Sequence, residues 1–80
     1  HYGVDLGNLR MEESLTFGLA AADEILAGWQ EASGREAEDI AYWDLVAALN
    51  TPTDLSRWAP TLPEATENRD AFLRAALARL

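Results

Sequence analysis

Three carboxylate pairs, Glu12-Glu13, Asp23-Glu24 and Glu38-Asp39, are the first residues in this chain with the means to do chemistry, since two acids held together serve as a general acid and base. Neighbours in sequence project about 100° apart on a helix, however, so these pairs do not converge and read as a solvated face. Serine nucleophiles need a base, and the one histidine, His1, stands at the start of the sequence, where a mobile side chain is expected. There is no cysteine, so neither a disulfide framework nor a thiolate metal site is available, and zinc is set aside. A phosphate-binding loop needs closely spaced glycines with a lysine; the five glycines are scattered and the chain contains no lysine. One carboxylate remains as an individual candidate, Asp44 inside an apolar run. Asp5 invites a catalytic or metal-binding reading, but its place before Leu6 and Leu9 favours a structural helix cap. Asp44 belongs at the rim of the core or under an arginine, and Arg10 is the expected partner, with structural pairing favoured over ligand binding.

The acids outnumber the bases by 14 to 6, giving a net charge of −8. Residues 1 to 40 hold nine acids and two arginines, net −7, so the field is concentrated in the first half. No basic stripe is present to displace counterions, which excludes nucleic acid as a partner and makes a cationic one electrostatically sensible. No apolar run approaches the ~20 residues of a membrane span, and the amino terminus lacks a signal-peptide pattern. A soluble, cytoplasmic chain is expected. A start at His1 suggests a processed product or a piece of something longer.

These residues need a scaffold, and 80 residues allow one domain, 1–80. The densest apolar stretch is Ile40 to Asn50. Tyr42, Leu45, Val46 and Leu49 share one helical stripe and Ile40, Trp43 and Ala47 an adjoining one, which predicts a central helix between neighbours, stopped by a left-handed Asn50 and by Pro52. A first helix is expected over about 6–16, closed by Phe17-Gly18 with Gly18 at positive φ. Leu19, Ala22, Ile25, Leu26 and Trp29 predict a second over about 19–32. Ser33 and Glu36 have capping-box spacing, but Gly34 as the residue ending this helix, with the central one starting near Glu38 and Asp39, is preferred. Asp54 to Trp58 forms a short extra turn, with Leu55 and Trp58 folded back on the central helix, and 60–63 is extended. A last helix from Pro63 or Thr66 turns Phe72, Leu73, Ala76, Leu77 and Leu80 inward and pairs Asp70 with Arg74. No hairpin signal or alternating run predicts a strand. The expected fold is all-α, a small bundle of about four helices.

Taken together, Gly3-Val4-Asp5-Leu6-Gly7-Asn8-Leu9-Arg10, Phe17-Gly18, Ala21-Ala22-Asp23 leading into Ile25-Leu26, Ser33-Gly34 and Tyr42-Trp43-Asp44-Leu45 run in the order seen in one family. Over nearly its whole length the chain resembles the carboxyl-terminal helical part of bacterial aminoglycoside phosphotransferase-like proteins, the group that includes choline kinase-like enzymes. The resemblance implies a kinase-like fold whose last helices shape the acceptor side of the cleft, with Asp39 and Asp44 as candidate acceptor-side or structural acids. It also implies ATP and magnesium for a full-length relative. The lysine, the His-Gly-Asp loop and the magnesium aspartate of that family match nothing here; Asp5 matches a later, helix-starting aspartate. No catalytic, cofactor-binding or metal residue is therefore assigned, and the chain alone is expected to be silent. A cationic small molecule is the expected ligand of such a parent, and apolar surface left uncovered is expected to drive homo-oligomerisation. The alternative reading is a free-standing acidic helical module that binds a basic protein.

Overall fold

The computed structural model of the chain describes residues 1–51 and 63–80. Four helices run α1 Tyr2–Phe17, α2 Leu19–Ser33, α3 Ile40–Leu49 and α4 Ala65–Arg79, with no strand among the described residues. The all-α bundle expected from the periodicity is therefore the observed fold. The short turn expected at 54–58 and the extended stretch expected after Pro60 fall almost wholly within 52–62, outside the described residues.

The centre of the bundle is α1 rather than the greasy α3. Helix α1 packs against all three others, whereas α3 packs against α1 and α4 and not against α2. Two glycines explain the preference. A methyl group on Gly3 would fall within the Trp43 indole, and one on Gly7 would come 2.7 Å from the Trp43 carbonyl oxygen, so the backbones meet at a distance only glycine permits. Gly7 weakens an isolated helix by up to ~1 kcal/mol relative to alanine. The tertiary contact it admits offsets that loss.

This close approach selects which side of α3 turns inward, and it is not the side with the largest apolar residues. Asp44, Ala47 and Ala48 are buried, while Tyr42 is 50% and Leu49 64% exposed and Leu45 and Val46 are half-buried. Of the two apolar stripes expected to pack against neighbours, Tyr42-Leu45-Val46-Leu49 is thus the outer one, while Ala47 of the other is buried. On α4 the buried row is Ala65, Arg69, Phe72 and Ala76, so Phe72 and Ala76 turn inward as expected, with Leu73 packed on the core, and the correction is confined to Leu77 and Leu80. Leu77 lies one step off that row, Leu80 lies past the helix end, and both are exposed. The core proper is Met11, Ala22, Ala47, Ala48 and Phe72, with Leu15 and Leu73 packed on it.

The helix ends differ from expectation at three points. Helix α1 begins four residues early, because the His1 imidazole Nδ1 accepts from the Gly3 N–H and serves as its cap. Asp5 is therefore not the cap but an exposed acid in the first turn, where it suits the positive end of the helix dipole. Asn50 has φ −85° and not the left-handed conformation; the last turn of α3 is closed instead by Thr51, whose hydroxyl donates to Ala47 O at 2.9 Å. The two glycine stops match their expected roles, with Gly18 at φ 88° and Gly34 at φ 68°. Asp39 precedes α3, as expected, and is left-handed at φ 57°.

Candidate functional site

Arg10 and Asp44 meet in the interior, 34 residues apart in sequence. Each is almost wholly excluded from solvent, Arg10 at 1% and Asp44 at 0% exposure. Arg10 presents its side-on fork to the carboxylate, with Nε donating to Oδ1 and Nη2 to Oδ2, both at 3.0 Å. Its remaining nitrogen, Nη1, donates to the Ala22 carbonyl of α2. The guanidinium carbon lies 6.0 Å from the Phe72 ring centroid of α4. One arginine therefore touches all four helices.

A second cation completes the cluster. Arg79, in the last turn of α4, donates from Nη2 to Asp44 Oδ2 at 2.8 Å while remaining 43% exposed. Asp23 on α2, itself mostly in solvent, approaches Arg10 Nη2 at 3.7 Å. Two guanidiniums and two carboxylates balance, so the buried charge is neutralised locally. Sequence reasoning identifies Arg10 as the partner; Arg79 escapes it because nothing in a single chain links the penultimate residue to position 44. An open cleft of about 350 Å³ adjoins the cluster, lined by Arg10, Leu19, Asp23, Ala75, Ala78 and Arg79.

Both oxygens of Asp44 are committed to arginines, which removes it as a base or as a direct contact for an acceptor. Asp39 is exposed, makes no side-chain cap bond, and is not brought against Asp44. The two candidate acids therefore do not form one site. Asp70 pairs with its neighbour Arg69 at 3.2 Å rather than with Arg74. The chain has no lysine, and no group of three potential metal ligands comes together among the described residues.

Two further features come from pairings the sequence does not announce. A run of stacked rings ties three helices together at one end of the bundle: Trp29 on Tyr2 at 4.9 Å, Tyr2 on His1 at 4.8 Å, His1 on Trp43 at 5.0 Å. The Tyr2 hydroxyl accepts from the Glu38 N–H at 2.9 Å, anchoring the loop ahead of α3, and Arg35 sits over the Tyr2 ring. His1, though exposed, thus both caps α1 and stacks on two rings. At the other end Asn68 and Arg69 of α4 donate to Leu15 O of α1 and to Ala48 O of α3, the latter a carbonyl that also accepts from the Thr51 N–H.

The outer seam between α1 and α2 holds two openings. One, of about 200 Å³, is lined by Tyr2, Asp5, Leu6, Leu9 and Trp29; the other, of about 490 Å³, by Glu13, Phe17, Ala20, Ala21, Glu24 and Ile25. Apolar side chains form the floor and acids the edge. Among the described residues no helix is long and apolar enough to cross a membrane. Comparison with known proteins finds no matching protein family, no matching curated protein and no matching solved structure.

Proposed function

We propose that these residues serve as the helical subdomain on the acceptor side of a phosphotransferase-like protein, a scaffold that does not transfer phosphate by itself. What supports the reading is the way the quoted motif residues interlock. Gly3, Gly7 and Arg10 of the first motif meet Trp43 and Asp44 of the last, and Phe17-Gly18 and Ser33-Gly34 fall at the two glycine joints between helices. The same proposal carries a cytoplasmic setting, ATP and magnesium supplied by residues outside this chain, and a cationic small molecule as the acceptor. Asp44 enters it as a structural acid that fixes α3, and Asp39 as the exposed acid free to face an acceptor.

The test begins with the reading frame upstream of His1. A His-Gly-Asp loop and an aspartate magnesium motif are expected within the preceding ~40 residues, the loop spacing of a kinase-like site. Phosphoryl transfer from ATP to an aminoglycoside is then measured for the longer protein and for residues 1–80. Transfer by the longer protein alone supports the proposal; an upstream frame without either motif overturns it.

A second reading, a free-standing acidic module that binds a basic protein, is favoured by a separate observation. Acidic residues collect on the exposed surface of α1, α2 and the loop that follows, including Asp5, Glu12, Asp23, Glu24, Glu31 and Glu36.

A further inference from the structure

Helix α1 and α2 form an antiparallel hairpin, joined by the single residue Gly18 and closed at its far end by Tyr2 stacked on Trp29. Along α1, Asp5, Leu9, Glu13 and Phe17 recur every four residues, and along α2 so do Ala21, Ile25 and Trp29. Each set follows one i, i+4 row of its helix, a row that drifts about 40° around the axis at every step. The two openings lie toward opposite ends of the α1/α2 seam and share no lining residue; the groove between the two helices is the surface they mark. Phe17 is 70% and Leu9 43% exposed, so the floor is apolar surface in contact with water. Asp5, Glu13 and Glu24 stand along its edges, and no arginine lines either opening.

We propose that this groove seats an amphipathic helix whose apolar stripe is flanked by lysine or arginine. The inference deepens the acidic-module reading and rests on it, while standing independently of phosphoryl transfer. Charge complementarity commits the occupant: Asp5, Glu13 and Glu24 along the edge outweigh Arg35, which sits over the Tyr2 ring at one end, and attract basic flanks, while the apolar floor requires a stripe of leucine-like side chains rather than a polar strand. The dimensions agree with a helix. At 1.5 Å per residue the 16 residues of α1 extend about 24 Å, and the centres of the two openings, near residues 5 and 15, lie about 15 Å apart along it. Two apolar anchors separated by about ten residues of an occupant helix reach both.

Fluorescence anisotropy with a labelled leucine-lysine amphipathic peptide of about four turns tests this. Three controls accompany it: the same composition scrambled to lose the stripe, the same stripe with glutamate for lysine, and an unstructured oligolysine. Saturable binding of the amphipathic basic peptide is expected. It should weaken at least about tenfold, or about 1.4 kcal/mol, in Leu9→Ser/Phe17→Ser and in Asp5→Asn/Glu13→Gln/Glu24→Gln. Glu36→Gln/Glu38→Gln/Glu67→Gln removes the same charge elsewhere and should change affinity less than about twofold. All the substituted side chains are at least partly exposed, and circular dichroism of each variant confirms the helices are kept. Binding that the groove variants leave unchanged overturns the groove while sparing the acidic-module reading. Equal binding of oligolysine and the amphipathic peptide does the same. Absence of binding by every basic peptide overturns both.

Discussion

At the scale of single residues, Arg10 and Asp44 decide whether the interior is tolerable. A buried charge without a partner is among the costliest defects in a small protein, whereas a buried pair contributes little beyond its own desolvation. Arg10→Met should therefore destabilise by about 3–5 kcal/mol, because Asp44 keeps only the half-exposed Arg79. Asp44→Leu should cost a similar amount by stranding Arg10 with Ala22 O and the distant Asp23. The double replacement, which removes both charges and supplies apolar volume, should cost less than either single change. Urea unfolding of the four proteins measures this directly; a single-variant loss under about 1 kcal/mol would show that the pair does not hold the fold. Arg79→Ala should cost about 1 kcal/mol or less, since its guanidinium is partly hydrated and Arg10 continues to satisfy the carboxylate.

At the scale of elements, the glycines carry opposite expectations. Gly28 lies mid-α2 with nothing within 4 Å of where a methyl group would go, so Gly28→Ala should stabilise by about 0.5–1 kcal/mol through helix propensity. Gly7→Ala gains the same propensity but drives a methyl group against the Trp43 backbone, which cannot move without shifting α3. A net loss of about 1–3 kcal/mol is expected, read as a lower thermal midpoint. If both substitutions raised the midpoint, the α1–α3 approach would be looser than described. This contrast also shows what could be read from the chain. Helices and glycine stops follow from local patterns, and α2, α3 and α4 begin and end close to where periodicity and capping residues place them. Which face turns inward is a tertiary decision. The apolar stripe of Tyr42, Leu45, Val46 and Leu49 outweighs Asp44, Ala47 and Ala48 in any count of hydrophobic area, yet loses because Gly3 and Gly7 create a slot beside Trp43 and Arg10 draws Asp44 in. The signal was present in the spacing of Gly3, Gly7 and Arg10, steps of four and three that place two absent side chains and one cation on the same face of α1. His1 as a cap carries no such signal, since imidazole is not among the residues preferred there.

At the scale of the whole molecule, apolar surface and net charge pull in opposite directions. Phe17, Leu49, Leu77 and Leu80, each more than half exposed, leave apolar surface at the carboxyl ends of α1, α3 and α4. We infer that residues 1–80 self-associate through part of it. A net charge of −8 on each copy opposes that contact by mutual repulsion. Salt separates the two terms, because raising ionic strength from about 0.1 M to 1 M shortens the screening length from roughly 10 Å to 3 Å and leaves apolar burial intact. Self-association should therefore strengthen with added salt, whereas the binding of a basic helix to the α1/α2 groove, which depends on attraction, should weaken over the same range. Sedimentation equilibrium at both salt concentrations, alongside peptide anisotropy, provides the comparison. A monomer at both concentrations would rule out the self-association, and peptide affinity independent of salt would show that Asp5, Glu13 and Glu24 do not attract the basic flanks. A Leu77→Ser/Leu80→Ser variant, which alters exposed side chains at the end of α4, should weaken the self-contact if that end contributes to it while leaving the groove unaffected.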